Sequence, residues 1–303
     1  MDNSILKDTA FQDRKNAFEV FYNLKQRIDN KEPTSLIRLG DGEGTILGFP
    51  DLASRARVNS FFNTWYGKFD FPDDIAMLHH NNLKLAISSA DIIGLPRVKQ
   101  LNKSPNWTVV EEGLLQHRLV KSEHLITDAA IHRYLTFALQ YRGLLAGQAF
   151  LGLISCRDLT SELSSVFKIS EVKHYSIQGE SKYPGLDDQP HFPDRFYELE
   201  QTIKVPYRGA IFLVGAGVLG KTYCHWIKER GGIAIDIGSI CDAWASVPSR
   251  TKHPIHKLER YRETPKITLE EACLRFNNLL DELNLDSERV NYRVLPKDFP
   301  ANW

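Results

Sequence analysis

Apolar residues near the start of the chain fall at helical spacing, with Phe18, Phe21, Leu24 and Ile28 on one side, and predict a helix over residues 11–30 that Pro33 ends. Beyond it come apolar runs of strand length at 35–39, 83–88, 124–127, 150–155, 172–177, 210–214 and 233–237. Helical patterns over 109–121, 130–141, 159–167, 194–203 and 219–230 separate most of them, and a last helix is expected over 269–283. Strands alternating with helices predict an α/β fold, a Rossmann-like and mostly parallel sheet with helices on both faces. Ligands of such sheets gather beyond the carboxyl ends of the strands.

The pattern divides the chain into an N-terminal helical segment (1–33), a Rossmann-like domain (34–247) and a C-terminal helical extension on the same domain (248–303). Segment 178–193, QGESKYPGLDDQPHFP, is irregular. Tyr183, His191 and Phe192 suit a loop folded over a cleft better than a spacer between halves. A second loop is expected over 247–256.

Composition narrows the function classes. In 303 residues, 38 basic side chains balance 38 acidic ones, and no Lys/Arg run tracks a phosphate backbone, so nucleic acid is not an expected partner. The N-terminal stretch is polar and lacks the apolar core of a signal peptide, and the run 143–155 is too short to cross a bilayer. A soluble cytoplasmic protein is expected, peripheral at the inner membrane face where an acceptor is lipid-linked, with oligomeric state open. Cys156, Cys224, Cys241 and Cys273 form no C-x-x-C pair and read as reduced, mostly buried thiols.

The first strand runs straight into SLIRLGDGEG, where Arg38 precedes the acids Asp41 and Glu43. In an extended segment residues two apart point the same way, so both carboxylates reach one hard ion, Mn²⁺ or Mg²⁺, while Gly42 leaves room for a ligand. The plainer reading is a strand followed by a tight turn. Arg38 either adds a charge-assisted hydrogen bond to a phosphate or pairs with an internal carboxylate.

A second island, AIFLVGAGVLGKTYCHWIKERGGIAIDIG, reads as strand, G-x-G-x-x-G at Gly215, Gly217 and Gly220, helix, then strand. The glycines allow a phosphate to approach the helix N-terminus, Lys221 can neutralise it, and Asp236 stands where a dinucleotide-binding protein keeps its ribose-binding acid. An NAD(P)-dependent oxidoreductase is therefore an alternative, as is packing of the helix on the sheet with no ligand. A methyltransferase fits poorly because Arg38 stands where an acid is wanted.

Taken in order, SLIRLGDGEG, PHFPDRFYELE and VGAGVLGKTYCHWIKERGGIAIDIGSICDAWA resemble the GT-D fold glycosyltransferases, a family of bacterial sugar transferases. The resemblance implies a D-x-E motif at Asp41 and Glu43 that holds a metal against the diphosphate of a nucleotide-sugar donor of UDP type. It implies transfer to a hydroxyl of a glycan, a lipid-linked or a protein-linked acceptor in surface polysaccharide or glycoprotein synthesis. Gly44 follows the motif where familiar members carry bulkier residues. The glycine loop and Ser239 in DIGSICDAW would shape the donor and acceptor sites, and a non-catalytic nucleotide-sugar-binding protein is a further alternative.

Transfer with inversion needs a base near the acceptor hydroxyl. Asp242, just past a strand end, is the first candidate and Glu180 the second, with Asp187, Asp188 and His191 behind them. An acid at Asp242 also suits a helix N-terminus. Trp244 or Tyr183 would stack on a sugar or base, unless Trp244 is packing. Asp128, His132, His79 and His80 have no second ligand at metal spacing.

Overall fold

The structure, a computed structural model, describes residues 14–66, 70–96, 105–180, 182–185, 189–249, 257–263 and 268–282. The acids Asp187 and Asp188, most of the loop 247–256 and the chain ends 1–13 and 283–303 lie outside the described residues.

Helix α1 (Ala17–Asp29) begins later than its apolar spacing predicts, because Asn16 caps it. The Asn16 side chain accepts from the amides of Phe18 and Glu19, and Glu19 reaches back to the Asn16 amide at 2.9 Å. Then follow β1 (Thr34–Arg38), α2 (Asp41–Leu47), α3 (Arg55–Tyr66), α4 (Asp73–Ser89), β2 (Ile92–Leu95) and α5 (Pro105–Gln116). The run at 83–88 is not a strand. It lies within α4, where Ala76, His79, His80, Leu83, Ala86 and Ile87 are buried at helical spacing, and the strand is the short IIGL that follows.

Next come β3 (Leu125–Asp128), α6 (Ile131–Phe137), α7 (Tyr141–Leu145), β4 (Phe150–Ser155), α8 (Thr160–Phe167), β5 (Glu171–Ser176) and α9 (Phe196–Thr202). The single helix expected over 130–141 is broken at Leu139, a buried residue held at a φ of +57°. The chain continues with β6 (Ile211–Gly215), α10 (Leu219–Glu229), β7 (Ile233–Asp236), α11 (Ile240–Trp244), α12 (Leu258–Glu263) and α13 (Leu269–Glu282).

All seven strands are parallel, in the order β3-β2-β1-β7-β6-β4-β5. Alternate side chains of each strand enter two apolar clusters, one per face: Leu36, Leu153, Leu213 and Ile235 on one, Ile37, Ile154, Val214 and Ala234 on the other. Leu258 and Tyr261 of α12 and Ala272 and Cys273 of α13 join the first cluster, so these C-terminal helices cover the same sheet. Cys224, Cys241 and Cys273 are buried, Cys156 is half-buried, and all four are free thiols. Among the described residues, no helix is long and apolar enough to cross a membrane.

Candidate active site

A cleft of about 240 Å³ opens at the carboxyl ends of the strands. It is lined by Arg38, Gly42 and the acids of the D-x-E turn, by Gly215, Gly217 and Lys221 of the glycine bend, and by Ser239 and Asp242 after β7. Glu180 and His191 line it too, so the described part of the 178–193 segment lies at the cleft, as a loop folded over it would. Gly179 and Gly185 let it lie so close: a Cβ at Gly179 would sit 2.4 Å from the Gly185 nitrogen, and one at Gly185 2.7 Å from Cys156.

Four charged side chains form its floor. Arg38, the last residue of β1, donates from Nη2 to Asp236 Oδ1 at 2.9 Å and from Nε to the Asp236 carbonyl at 3.0 Å. Its Nη1 donates to the Ala129 carbonyl at 3.0 Å and lies 3.0 Å from His132 Nδ1. The choice left open for Arg38 thus falls to the internal carboxylate. Gly238, at a φ of +51°, makes room for this guanidinium, since a Cβ there would stand 2.2 Å from Nη2.

Lys221 Nζ lies 3.0 Å from Asp236 Oδ2, 2.6 Å from Glu43 Oε1 and 3.0 Å from the Gly217 carbonyl. Three acceptors match the three protons of an ammonium. Burial would push the Asp236 carboxyl up, but Arg38 and Lys221 outweigh it and hold the pKa below the ordinary value. Burial would likewise depress Lys221, but Asp236 and Glu43 outweigh it and raise the ammonium's pKa. Burial, reinforced by Arg38, holds His132 well below the usual histidine range and therefore neutral. Its place on a helix with a hydrogen-bonded partner is that of a core histidine.

The D-x-E turn is not extended. Asp41 and Glu43 occupy the first turn of α2, where residues two apart do not face each other. Glu43 Oε2 accepts the Gly40 amide at 2.7 Å while Oε1 takes Lys221, so both oxygens are engaged. Asp41 is exposed at the cleft, its Oδ1 accepting the Gly42 amide at 3.0 Å. Gly42 makes room for the Phe61 ring, because a Cβ there would lie 2.0 Å from Cζ. A divalent ion held jointly by Asp41 and Glu43 does not fit this arrangement. Among the described residues, no group of three His, Cys, Asp or Glu side chains gathers as a ligand set.

The second island is corrected in the same way. Asp236 is 2% exposed and ion-paired beneath the cleft, out of reach of a ribose hydroxyl, which removes the support for a dinucleotide site. Gly215 admits the turn after β7, a Cβ there standing 2.9 Å from the Gly238 carbonyl, while Gly217 adopts a φ of +56°. Gly220 packs α10 on the sheet, where a Cβ would meet Val214 at 3.1 Å.

Asp242 faces the cleft with both oxygens in use, Oδ1 taking Arg157 Nε at 2.8 Å and Oδ2 the Ser249 hydroxyl at 2.6 Å. Arg157 also donates to the carbonyls of Tyr183 and Pro184, tying the overlying loop to α11. Tyr183 therefore serves this clip through its backbone. Trp244 is core, its ring 5.4 Å from that of Tyr141. Asp128 accepts the Ala130 amide at 2.6 Å, and His80 lies 3.3 Å from the Ile46 carbonyl. Sequence reasoning misses Phe61, Trp107, Arg133 and Gln178 as lining residues. Arg133, five residues beyond the end of β3, is the one that strand-end position could have marked.

A parallel sheet with a cleft at its carboxyl ends, where the D-x-E turn meets a glycine bend, defines an α/β protein with a ligand-binding architecture. The chain belongs to the GT-D fold-like domain family, whose model matches residues 15–244. Among solved structures it is similar to a glycosyltransferase (DUF1792) from Streptococcus sanguinis, at 14% identity over 91% of this chain and 98% of that one, with a TM-score of 0.47. It is also similar to a domain of unknown function 1792 described as having a distinct glycosyltransferase fold, at 13% identity over 84% and 96% of the two chains, with a TM-score of 0.45. No curated protein matches the chain.

Proposed function

We propose that the protein transfers a sugar from a nucleotide-sugar donor of UDP type to a hydroxyl of a glycan or glycoconjugate, in bacterial surface polysaccharide or glycoprotein synthesis. One observation carries this reading. The D-x-E turn and the glycine bend, some 180 residues apart in the chain, meet in one cleft through the 2.6 Å contact of Glu43 with Lys221. Transfer requires the charge growing on the departing diphosphate to be met by fixed dipoles and cations. Gly217, Ser239 and Arg133 line the cleft, and we assign this role to their backbone, hydroxyl and guanidinium donors. A guanidinium such as that of Arg133 is suited to bidentate phosphate pairing.

Glu180 and Asp242 are the two acids of the cleft proposed for the acceptor-side base. Glu180 belongs to the overlying loop, and Asp242 accepts from Arg157 and Ser249. A soluble enzyme meeting lipid-linked acceptors at the inner membrane face agrees with this reading.

Titration of UDP and of NAD, each with and without Mn²⁺, tests the donor class through thermal unfolding. A ligand selective for the folded state at a hundred times its Kd adds about 2.7 kcal/mol. UDP is expected to raise the Tm and NAD to leave it unmoved. Stabilisation by NAD alone would return the oxidoreductase reading. Hydrolysis across a panel of nucleotide sugars then names the donor, and binding without turnover of any of them would point to a non-catalytic sensor.

A further inference from the structure

We infer that Lys221 is the resident cation of the D-x-E turn, so that Glu43 is a brace and not a ligand of a divalent ion. The inference deepens the donor-site reading above and uses it only to say what the turn is for. Lys221 is 3% exposed and Glu43 8%, so their 2.6 Å contact is an internal ion pair and not a surface one. Each partner is filled. Glu43 spends its second oxygen on the Gly40 amide, and Lys221 spends its other protons on Asp236 and the Gly217 carbonyl.

For an ion to take Glu43, Lys221 would have to leave, and Asp236, buried at 2% exposure, would lose one of its two cations. Uncovering a buried charge in that way is strongly unfavourable. The ammonium and a divalent ion thus compete for one carboxylate, and the fold has placed the ammonium there. Asp41 is exposed and lies about 200° around the helix axis from Glu43, so the two carboxylates do not converge on one ion. Lys221 and Glu43 are therefore positioning residues, joining the glycine bend to the first turn of α2.

Mn²⁺ alone, titrated into the full chain while the electron paramagnetic resonance of the free ion is followed, separates the roles. Glu43→Gln is expected to leave Mn²⁺ affinity within about twofold of the parent. Lys221→Met uncovers Glu43 and Asp236, so affinity should rise at least about tenfold, and adding Glu43→Gln should take that gain back. A merely structural lysine would give no such gain. A tenfold loss from Glu43→Gln in the parent background, or no gain from Lys221→Met, overturns the assignment. Where Lys221→Met does not fold, the Glu43→Gln arm decides it. The donor reading is judged separately: a parent chain that binds no UDP with or without Mn²⁺ sinks that reading, while the Mn²⁺ arms still decide the lysine.

Discussion

Glu180 and Asp242 are both acids lining the cleft, and substitution separates their proposed roles. Replacing Glu180 by Gln keeps its shape and removes its basicity, so under the proposed base role kcat should fall about 10²- to 10⁴-fold, with the Tm followed alongside. Asp242→Ala breaks the clip through Arg157 and Ser249 and should lower the Tm as well as the rate, measured by the same two assays. At Gly42 the test is steric. A Cβ 2.0 Å from the Phe61 ring forces that ring to move, and Gly42→Ala should cost about 1–3 kcal/mol in denaturant unfolding. The acids of the motif were legible in the sequence because a glycine-flanked D-x-E after a strand is unusual. Their partners were not. Arg38 and Asp236 are 198 residues apart, and nothing local to either shows that they meet. Arg157 gave no signal at all, since its role depends on carbonyls of a loop that only the fold brings near.

The elements of regular amphipathic pattern were readable, and the errors lie where propensity and tertiary context disagree. Helix α2 carries Gly42 and Gly44 within seven residues, and glycine disfavours a helix by roughly 1 kcal/mol each. Its N-cap is Gly40, so the Ser/Thr signature of a capping box is missing, although Glu43 bonds back to the Gly40 amide as the box requires. The packing of Ile46 and Leu47 into the core outweighs the weak local preference. The 83–88 run failed differently, because a short apolar run reads equally as a buried strand or as one side of a buried helix. At α1 the capping signature was present at Asn16, and Asn16→Ala should cost about 1 kcal/mol in a urea melt. Gly238→Ala should be more damaging: it combines an unfavourable positive φ with the loss of space for Arg38, and the Tm and donor binding are expected to fall together.

For the whole molecule, two buried imidazoles contribute to the acid limb of stability. Burial pushes His79 down to about 4 and His191 to about 3. His79 sits in an aromatic box of Phe62, Phe71, Phe192 and Phe196, and its ring nitrogens have no hydrogen-bond partner among the described residues. The unfolded chain takes up protons below pH 6.5 that the folded chain refuses, so stability falls as pH drops from 6.5 towards 4. For His79 the loss is on the order of 3 kcal/mol. His79→Leu should flatten that slope in unfolding measured between pH 7 and 4. The floor of the cleft behaves otherwise. The lowered Asp236 keeps its contribution above the ordinary carboxylate pKa and loses it only as pH falls through the lowered value. The raised Lys221 keeps its contribution below the ordinary lysine pKa and loses it as pH climbs through the raised value, so the network is intact across the neutral range.

The parallel α/β class followed from strands alternating with helices, but strand order depends on long crossovers that leave no local mark. That order has its own consequence. Strand β7, last in the chain, lies between β1 and β6, so residues 34–36 find their partners only at 233–235. During synthesis the sheet therefore cannot close until this keystone strand has been made. Non-local pairings of this kind form slowly and leave strand edges unpaired meanwhile.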